Sequence, residues 1–208
     1  MTACTARVFV VDDDASVRKS LTRVITSAGY TVDVFASAQE FLACPRPAGP
    51  SCLVLDVRMP GVTGLDLQKT LADAVHRIPV VFVTGHGDIS MSVNALKEGA
   101  VDFLTKPFDR KALLDAIARA LAKDTRDLAT EARIGDIRQR AKLLTPRESQ
   151  VFALVVTGML NKQIASELGV VEKTIKVHRA RVMEKMRAGS VAELVRLADG
   201  VGVIVTEA

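Results

Sequence analysis

The first 120 residues alternate short apolar runs with longer stretches whose apolar positions recur at a helical period. The apolar runs have the length of strands, and most have too few polar positions for a solvent-facing side. The predicted strands are 7–11, 31–35, 52–56, 79–84 and 101–105. The predicted helices are 16–28, 37–43, 64–75, 89–97 and 110–120. Strands that alternate with helices predict an α/β fold, a doubly wound five-stranded parallel sheet with helices on both faces.

The remaining residues predict a linker and a small helical domain. Residues 121–142 are rich in charge, contain no Pro and predict a mostly helical linker that extends the fifth helix. A self-associating helix and a solvated connector both fit this stretch. Thr145-Pro146-Arg147-Glu148 marks a helix start, because Thr caps, Pro suits the first position and Glu completes a capping box. The predicted domains are 1–122, a linker at 123–142 and an all-α four-helix domain at 143–208.

Within the helical domain, residues 161–168, a turn at Gly169 and residues 171–186 predict a helix-turn-helix. The second of these helices has two different faces. Its predicted core face carries Ile175, Val182 and Met186. Residues 173–187 hold six basic residues and one acidic residue, and most of the basic ones fall on the other side. Such a module places its second helix in the major groove of DNA.

Charge and cysteine content agree with a DNA-binding C-terminal half. Residues 1–120 carry equal numbers of acidic and basic side chains, so the whole net charge of +4 belongs to residues 121–208. The three cysteines, Cys4, Cys44 and Cys52, fit no metal motif and predict reduced thiols. No apolar run approaches the roughly 20 residues of a membrane span, and no secretory signal pattern opens the chain. A cytoplasmic protein without membrane contact is therefore expected.

Polar side chains stand at the ends of four predicted strands. Asp12 and Asp13 follow the first strand, Asp56 ends the third, Thr84 ends the fourth and Lys106 follows the fifth. Because the carboxyl ends of parallel strands share one edge, these groups should converge. Clustered carboxylates repel one another, and Mg²⁺ resolves the conflict with oxygen ligands suited to phosphate chemistry. A carboxylate beside Mg²⁺ can become an aspartyl phosphate while an ammonium neutralises the transferred oxygens.

This constellation resembles the receiver domain of bacterial two-component response regulators over roughly residues 6–122. The motifs are Asp12-Asp13, the Leu-Asp-Val-Arg-Met-Pro-Gly run at 55–61, the Thr-Gly-His-Gly-Asp run at 84–88 and the Phe-Leu-Thr-Lys-Pro-Phe run at 103–108. The resemblance implies that Asp56 is the phosphoacceptor and that Lys106 and Thr84 contact the phosphoryl group. It implies Mg²⁺ ligands that are Asp13, Asp56, the backbone carbonyl of Arg58 and, through water, Asp12. It also implies that Thr84 and Phe103 form a switch, in which the Phe103 ring turns inward when Thr84 moves, and that the Lys106-Pro107 bond is cis.

The C-terminal motifs look like the LuxR-type domain of the NarL/FixJ response regulators over roughly residues 142–200. They are Leu-Thr-Pro-Arg-Glu at 144–148, Asn-Lys-Gln-Ile-Ala at 161–165 and Thr-Ile-Lys-Val-His at 174–178. The candidate DNA contacts are Lys173, Thr174, Lys176, Val177, Arg179 and Arg181. One position departs from the family pattern, since Val171 stands where a capping residue is common. A missing cap costs on the order of 0.5–2 kcal/mol.

The interpretation is a phosphorylation-activated transcriptional regulator rather than a turnover enzyme. Its expected partners are a sensor histidine kinase, promoter half-sites in double-stranded DNA and RNA polymerase. By resemblance, the phosphorylated chain forms a homodimer through the face formed by its fourth helix and fifth strand, with Val93 and Lys97 as candidate contacts. Two alternatives stay open. An enzyme on the same fold is disfavoured by the absence of Gly-rich phosphate-binding motifs, and a phosphorylation-independent DNA-binding regulator with a vestigial receiver is disfavoured by the complete acidic pocket.

Overall fold

A computed structural model describes residues 6–45, 48–72, 78–85 and 89–201. Contacts divide the chain into two units, residues 1–128 and residues 129–208. The first unit is built on a five-stranded parallel sheet of order β2-β1-β3-β4-β5. Its strands are β1 (Arg7–Val11), β2 (Thr31–Phe35), β3 (Ser51–Asp56), β4 (Val80–Thr84) and β5 (Asp102–Thr105). The predicted sheet is confirmed, and the more polar β2 lies at its edge.

Helices cover both faces of the sheet. They are α1 (Ala15–Ser27), α2 (Ala38–Leu42), α3 (Gly64–Ala72), α4 (Ile89–Lys97) and the start of α5 (Arg110–Lys142). Because side chains alternate along a strand, β3 sends Leu53 and Leu55 into one core and Cys52 and Val54 into the other. The first core is closed by α2, α3 and α4, and the second by α1 and α5. The predicted end of α3 at Val75 and the His-Gly-Asp part of the motif at 84–88 lie outside the described residues.

The second unit is helical. It contains the end of α5 followed by α6 (Pro146–Val156), α7 (Asn161–Glu167), α8 (Glu172–Met186) and α9 (Val191–Val201). The predicted capping box of Thr145 and Glu148 begins α6. The predicted core stripe of α8, Ile175, Val182 and Met186, is fully buried. Among the described helices, none is both long enough and apolar enough to cross a lipid bilayer.

Candidate functional site

The predicted strand-end residues meet at one edge of the sheet. Register places Val11 opposite Leu55 and Asp56 opposite Val83, so Asp12 and Asp56 leave neighbouring strands at the same level. Asp12, Asp56 and Thr84 are all buried, with 1%, 6% and 1% of their surface exposed. Buried carboxylates require partners, because an unpaired charge in the interior is costly.

Lys106 provides the partner for both carboxylates. Its Nζ donates to Asp12 Oδ2 at 2.7 Å and to Asp56 Oδ1 at 2.9 Å. Burial acts to lower the pKa of Lys106, but its hydrogen bonds with the two carboxylates outweigh burial and raise that pKa. The lysine therefore stays charged and holds the two carboxylates together. The Lys106-Pro107 peptide bond is cis, as predicted.

The Asp56 carboxylate is held at both oxygens. Oδ1 accepts from Lys106, and Oδ2 accepts from the backbone N–H of Arg58 at 2.7 Å. Burial raises the pKa of Asp56, and the hydrogen bond and charge of Lys106 act against this rise. The Arg58 side chain is exposed, so only its backbone belongs to the pocket in this structure.

Two residues that the sequence analysis missed shape this edge. Arg18 on α1 donates from Nη1 to the carbonyls of Asp12 at 2.7 Å and Asp13 at 2.9 Å, which fixes the acidic loop. Gly64 begins α3 so close to Asp56 that a Cβ there would lie 2.3 Å from the Asp56 carbonyl oxygen. A basic residue one turn into the helix after an acidic loop was a usable signal for Arg18. The Gly64 contact had none.

Asp13 and Asp14 have different surroundings from Asp12. Asp13 is exposed at the mouth of the pocket. Asp14 caps α1 by accepting from Ser16 N at 2.7 Å, as expected for a helix-entry residue. The hydrogen bonds that Asp14 accepts from Ser16 lower the pKa of its carboxyl. Asp14 is therefore occupied as a cap and is not available as a metal ligand.

The donor chemistry of the pocket fits a hard divalent cation that retains several waters. Asp13 and Asp56 carry carboxylate oxygens at this edge, and the backbone carbonyl of Arg58 follows Asp56 by two residues; all three are the oxygen donors that such a cation prefers. Within the described ranges, no three Asp, Glu, His or Cys side chains are grouped closely enough to hold a metal ion by themselves. A cation here would therefore depend on the carbonyl and on water for its remaining ligands.

The predicted switch pair lies on neighbouring strands. Thr84 ends β4 and is paired with Thr105 in the register of β5. Phe103, two residues earlier in β5, is partly buried against the core that α3 and α4 cover. Its ring centroid lies 6.2 Å from that of Phe82. The ring thus occupies a half-buried position between the sheet and α4.

The predicted face of α4 exposes apolar surface beside a charge. Val93 is 41% exposed, Leu96 is 45% exposed, and Lys97 is also exposed. The sequence analysis named Val93 and Lys97 and omitted Leu96. Leu96 and Lys97 follow Val93 by three and four residues, so the three side chains lie on one side of α4 as two exposed apolar groups beside a charge.

In the second unit, α8 presents the candidate DNA-binding face. Lys173, Lys176, Val177 and Arg181 are exposed, and Thr174 is partly buried. Lys176 Nζ pairs with Glu172 Oε1 at 3.0 Å, one helical turn away. This pair holds the lysine beside the first turn of α8.

Arg179 differs from the other candidates because it is tied to a neighbouring helix. Its Nη1 donates to Asn161 Oδ1 at 2.9 Å and so joins α8 to the start of α7. The guanidinium has further donors that remain compatible with a phosphate contact. Arg179 therefore has a packing role that the sequence analysis did not foresee.

The helix α8 begins without a side-chain cap. Val171 is its N-cap residue, is 69% exposed and makes no capping hydrogen bond. Glu172 in the first turn provides a negative charge at the positive end of the helix dipole, which partly replaces the missing cap. The departure from the family pattern at Val171 thus leaves α8 without a side-chain cap, and the helix still forms.

The anchor of α8 is a buried ion pair that the sequence analysis missed. Lys185 Nζ lies 2.6 Å from Glu148 Oε2, and Glu148 is 2% exposed. The hydrogen bond from Lys185, followed by that from the Thr145 backbone, lowers the pKa of Glu148 to about 2. Glu148 therefore joins the capping box of α6 to the last turn of α8.

Comparison with known families and proteins agrees with both halves of this description. Residues 8–118 match the response regulator receiver domain, and residues 142–198 match the bacterial regulatory proteins of the luxR family. Nodulation protein W of Bradyrhizobium diazoefficiens is 48% identical over 198 residues, covering 95% of this chain and 87% of that protein. The transcriptional regulatory protein FixJ of the same organism is 43% identical over 197 residues, covering 95% of this chain and 96% of that protein.

Solved structures of similar proteins cover nearly the whole chain. The response regulator StyR has a TM-score of 0.80 at 46% identity and covers 94% of this chain and 99% of its own. Full-length FixJ from B. japonicum has a TM-score of 0.55 at 43% identity and covers 95% of this chain and 98% of its own. The chain therefore belongs to the two-component response regulators, with a receiver domain followed by a DNA-binding domain of the luxR family. It is a transcription regulator of the kind that its NarL/FixJ resemblance predicted.

Proposed function

We propose that Asp56 accepts a phosphoryl group from a phosphohistidine of a sensor kinase and that this modification activates binding to promoter DNA. The observation that carries the proposal is the position of Lys106, whose Nζ contacts Asp12 and Asp56 at 2.7 and 2.9 Å. An ammonium held against the buried Asp56 carboxylate is placed to contact the oxygens of a phosphoryl group that is transferred to it.

The proposed transfer uses groups whose positions are known. A carboxylate oxygen of Asp56 attacks phosphorus, the bond from phosphorus to the donor nitrogen breaks, and the nitrogen keeps the electron pair. Lys106 remains within reach of the transferred oxygens, and the Thr84 hydroxyl is the candidate donor to one of them. Lys106 and Thr84 act once per transferred phosphoryl group, so the chain takes part in its own phosphorylation and dephosphorylation and is not a turnover enzyme.

We assign the Mg²⁺ site to Asp13, Asp56 and the carbonyl of Arg58, with Asp12 contributing through water. When bound there, the ion would neutralise charge on the phosphoryl oxygens. Arg18 prepares the site by fixing the carbonyls of Asp12 and Asp13. Asp13, as the exposed carboxylate, is the residue most accessible to an incoming cation.

The proposed output is sequence-specific DNA binding by α8. Lys173 and Arg179 are assigned mainly to phosphates, Val177 and Arg181 to base edges, and Lys176 to both. Thr174 completes the set near the first turn. A phosphorylated homodimer would present two copies of α8 to half-sites about one helical turn of DNA apart. RNA polymerase is the expected partner at the promoter, and the bacterial cytoplasm is the expected location.

The phosphorylation step is tested by Asp56→Asn with Asp14→Asn as its matched control. The control variant would still cap α1, because an Asn side chain is as good an N-cap as Asp. Full-length chains are incubated with acetyl phosphate and Mg²⁺, and phosphate incorporation is measured by mass spectrometry. Incorporation should be lost in Asp56→Asn and kept in Asp14→Asn. Equal incorporation in both variants would show that Asp56 is not the acceptor.

The link from phosphorylation to DNA is tested with duplexes selected from a randomised pool by the phosphorylated wild type. Affinity for the selected duplex is compared with and without phosphodonor. A gain in the wild type that Asp56→Asn lacks supports the proposal. If Asp56→Asn binds the duplex as tightly as the phosphorylated wild type, the regulator is independent of phosphorylation and its receiver is vestigial.

The dimer face is tested by Val93→Asp with Val34→Asp as its control. Both valines are similarly exposed, at 41% and 46%, and Val34 lies on the edge strand β2. Molar mass is measured by light scattering after phosphorylation. We expect Val93→Asp to remain monomeric and Val34→Asp to dimerise like the wild type. Dimerisation of both variants would exclude this face.

A further inference from the structure

The helix α5 is a single helix of 33 residues whose burial is uneven along its length. Leu113, Ile117 and Leu121 are buried against the sheet. One turn later Asp124 is completely buried, with 0% of its surface exposed. The stretch 125–136 contains no buried residue, and burial resumes at Ile137. Asp124 is therefore the last buried residue of α5 within the first unit.

Asp124 is held there by polar contacts rather than by apolar packing. Its Oδ2 accepts from the backbone N–H of Ser51 at 2.8 Å and from the Ser51 hydroxyl at 3.4 Å. The bond joins residues that are 73 positions apart. A buried carboxylate at this position costs desolvation that Leu or Ala would avoid. In return it fixes one direction and one distance between α5 and the strand, which apolar packing would leave less defined.

Ser51 is the first residue of the strand that carries the phosphoacceptor. Ser51 and Asp56 occupy the two ends of β3, and all six residues of that strand are buried. The strand spans about 16 Å between them at about 3.3 Å per residue. It is hydrogen-bonded to β1 on one side and β4 on the other, so it cannot bend independently of the sheet. Ser51 and Asp56 are therefore the two ends of one element that the sheet holds on both sides.

We propose that Asp124 is a positioning residue that couples the state of Asp56 to α5. It fastens the exit of α5 to the amino end of β3, so that phosphorylation at the carboxyl end changes how the helix leaves the receiver. The same helix continues to Lys142 and runs into the DNA-binding unit. This inference rests on the proposed function, because it assumes that phosphorylation of Asp56 alters DNA affinity.

The test compares Asp124→Ala, Asp124→Asn and the control Asp127→Ala in the full-length chain. Asp127 lies on the same stretch of α5, where it pairs with Lys123. Two quantities are measured after treatment with acetyl phosphate and Mg²⁺. One is phosphate incorporation. The other is the ratio of affinities, with and without phosphate, for a duplex selected from a randomised pool by the phosphorylated wild type.

We expect Asp124→Ala to incorporate phosphate like the wild type. Its affinity ratio should be about fivefold or more below that of the wild type, which lies within the usual range of coupling between sites. Asp124→Asn keeps an acceptor for Ser51 and should restore most of the ratio. Asp127→Ala should behave as the wild type. If Asp124 only stabilised the fold, its loss should reduce phosphate incorporation and the affinity ratio together. A loss of the affinity ratio with unchanged incorporation therefore supports coupling.

Three results would overturn the inference. They are a wild-type affinity ratio in Asp124→Ala, a parallel loss of incorporation and ratio in that variant, and no rescue by the Asp124→Asn variant. If Asp124→Ala does not fold, Asp124→Ser decides, since its hydroxyl can donate within the helix yet is too short to replace the carboxylate at Ser51. A wild type without any affinity gain on phosphorylation would instead contradict the proposed function itself.

Discussion

Lys185 and Glu148 form an ion pair at 2.6 Å between α8 and α6, with Glu148 almost fully buried. The same Glu148 oxygen also accepts from the backbone N–H of Thr145 at 2.9 Å. Lys185 donates in addition to the carbonyl of Leu143 at 3.1 Å. This ion pair thus ties the last turn of the candidate recognition helix to the start of α6.

The first prediction is that the DNA-binding unit loses stability in acid through Glu148. Its pKa falls from an ordinary value of 4.5 to about 2 on folding, so the ionised form is favoured in the folded state. The stabilisation is present above about pH 4.5 and is lost as the pH falls towards 2. Glu148→Gln should lower the thermal midpoint near neutral pH and weaken this acid dependence. The exposed Glu184→Gln is the control, and equal acid profiles for wild type and Glu148→Gln would contradict the assignment.

The second prediction concerns Gly64, whose missing side chain lets α3 start against the strand that ends at Asp56. A Cβ at this position would meet the Asp56 carbonyl oxygen at 2.3 Å and the Val57 Cα at 3.0 Å. These are backbone atoms that cannot rotate away. Gly64→Ala should lower the free energy of unfolding by about 1–3 kcal/mol, as overpacking usually does. Chemical denaturation gives the free energy of unfolding of the receiver domain, and phosphate incorporation is measured on the same variant.

The control for that variant is Gly135→Ala in α5, where nothing lies within 4 Å of an added Cβ. A helical Gly replaced by Ala in open space should gain about 0.5–1 kcal/mol. Opposite signs for the two substitutions would separate a close backbone approach from the general effect of replacing Gly. A Gly64→Ala chain as stable as the wild type would exclude the predicted collision.

The fold and the main site residues were predictable because each depends on a local pattern. The apolar runs that form β3 and β4 end at the pocket residues Asp56 and Thr84, and the run that forms β1 ends one residue before Asp12. Parallel topology then brings Asp12, Asp56, Thr84 and Lys106 to one edge without any knowledge of packing. The core stripe of α8 was predictable for the same reason, since helical periodicity alone selects it.

Long-range polar contacts were not predictable, because nothing in the local pattern marks them. Glu148 was recognised as part of a capping box, yet its bond to Lys185 spans 37 positions. Asp124 lies in a charge-rich stretch where solvent exposure was the natural expectation, and only the packing of α5 on β3 buries it. Sequence patterns identify which face is apolar, but the partner of a buried charge is decided by tertiary structure.

The third prediction links Lys106 to the pH dependence of phosphorylation. Burial raises the pKa of Asp56, and Lys106 opposes that rise. Phosphate incorporation requires the ionised carboxylate, so it should fall as the pH drops through the Asp56 pKa. Lys106→Met should move this fall to higher pH and reduce the rate by about 10²–10³, the usual cost of removing one charge-stabilising donor. Initial rates with acetyl phosphate between about pH 4.5 and 8 measure both effects.

Lys111→Met is the matched control for that experiment, because Lys111 is exposed on α5 and outside the pocket. It should incorporate phosphate at the wild-type rate with the wild-type pH dependence. A pH profile that shifts equally in both variants would indicate a general charge effect. An unshifted profile in Lys106→Met would remove Lys106 from the electrostatics of the acceptor.

The last prediction returns to the uncapped start of α8. Val171 has the extended backbone of an N-cap residue, with φ −78° and ψ 147°, but its side chain cannot accept a hydrogen bond. Val171→Ser should supply that acceptor and raise the free energy of unfolding of the DNA-binding unit by about 0.5–2 kcal/mol. Chemical denaturation measured without DNA isolates the effect on folding. Val177→Ser is the control, because Val177 is exposed in the middle of α8. This substitution should not raise the free energy of unfolding, since a Ser there has no free first-turn N–H to bind. If both substitutions change stability equally, the added stability does not come from the cap.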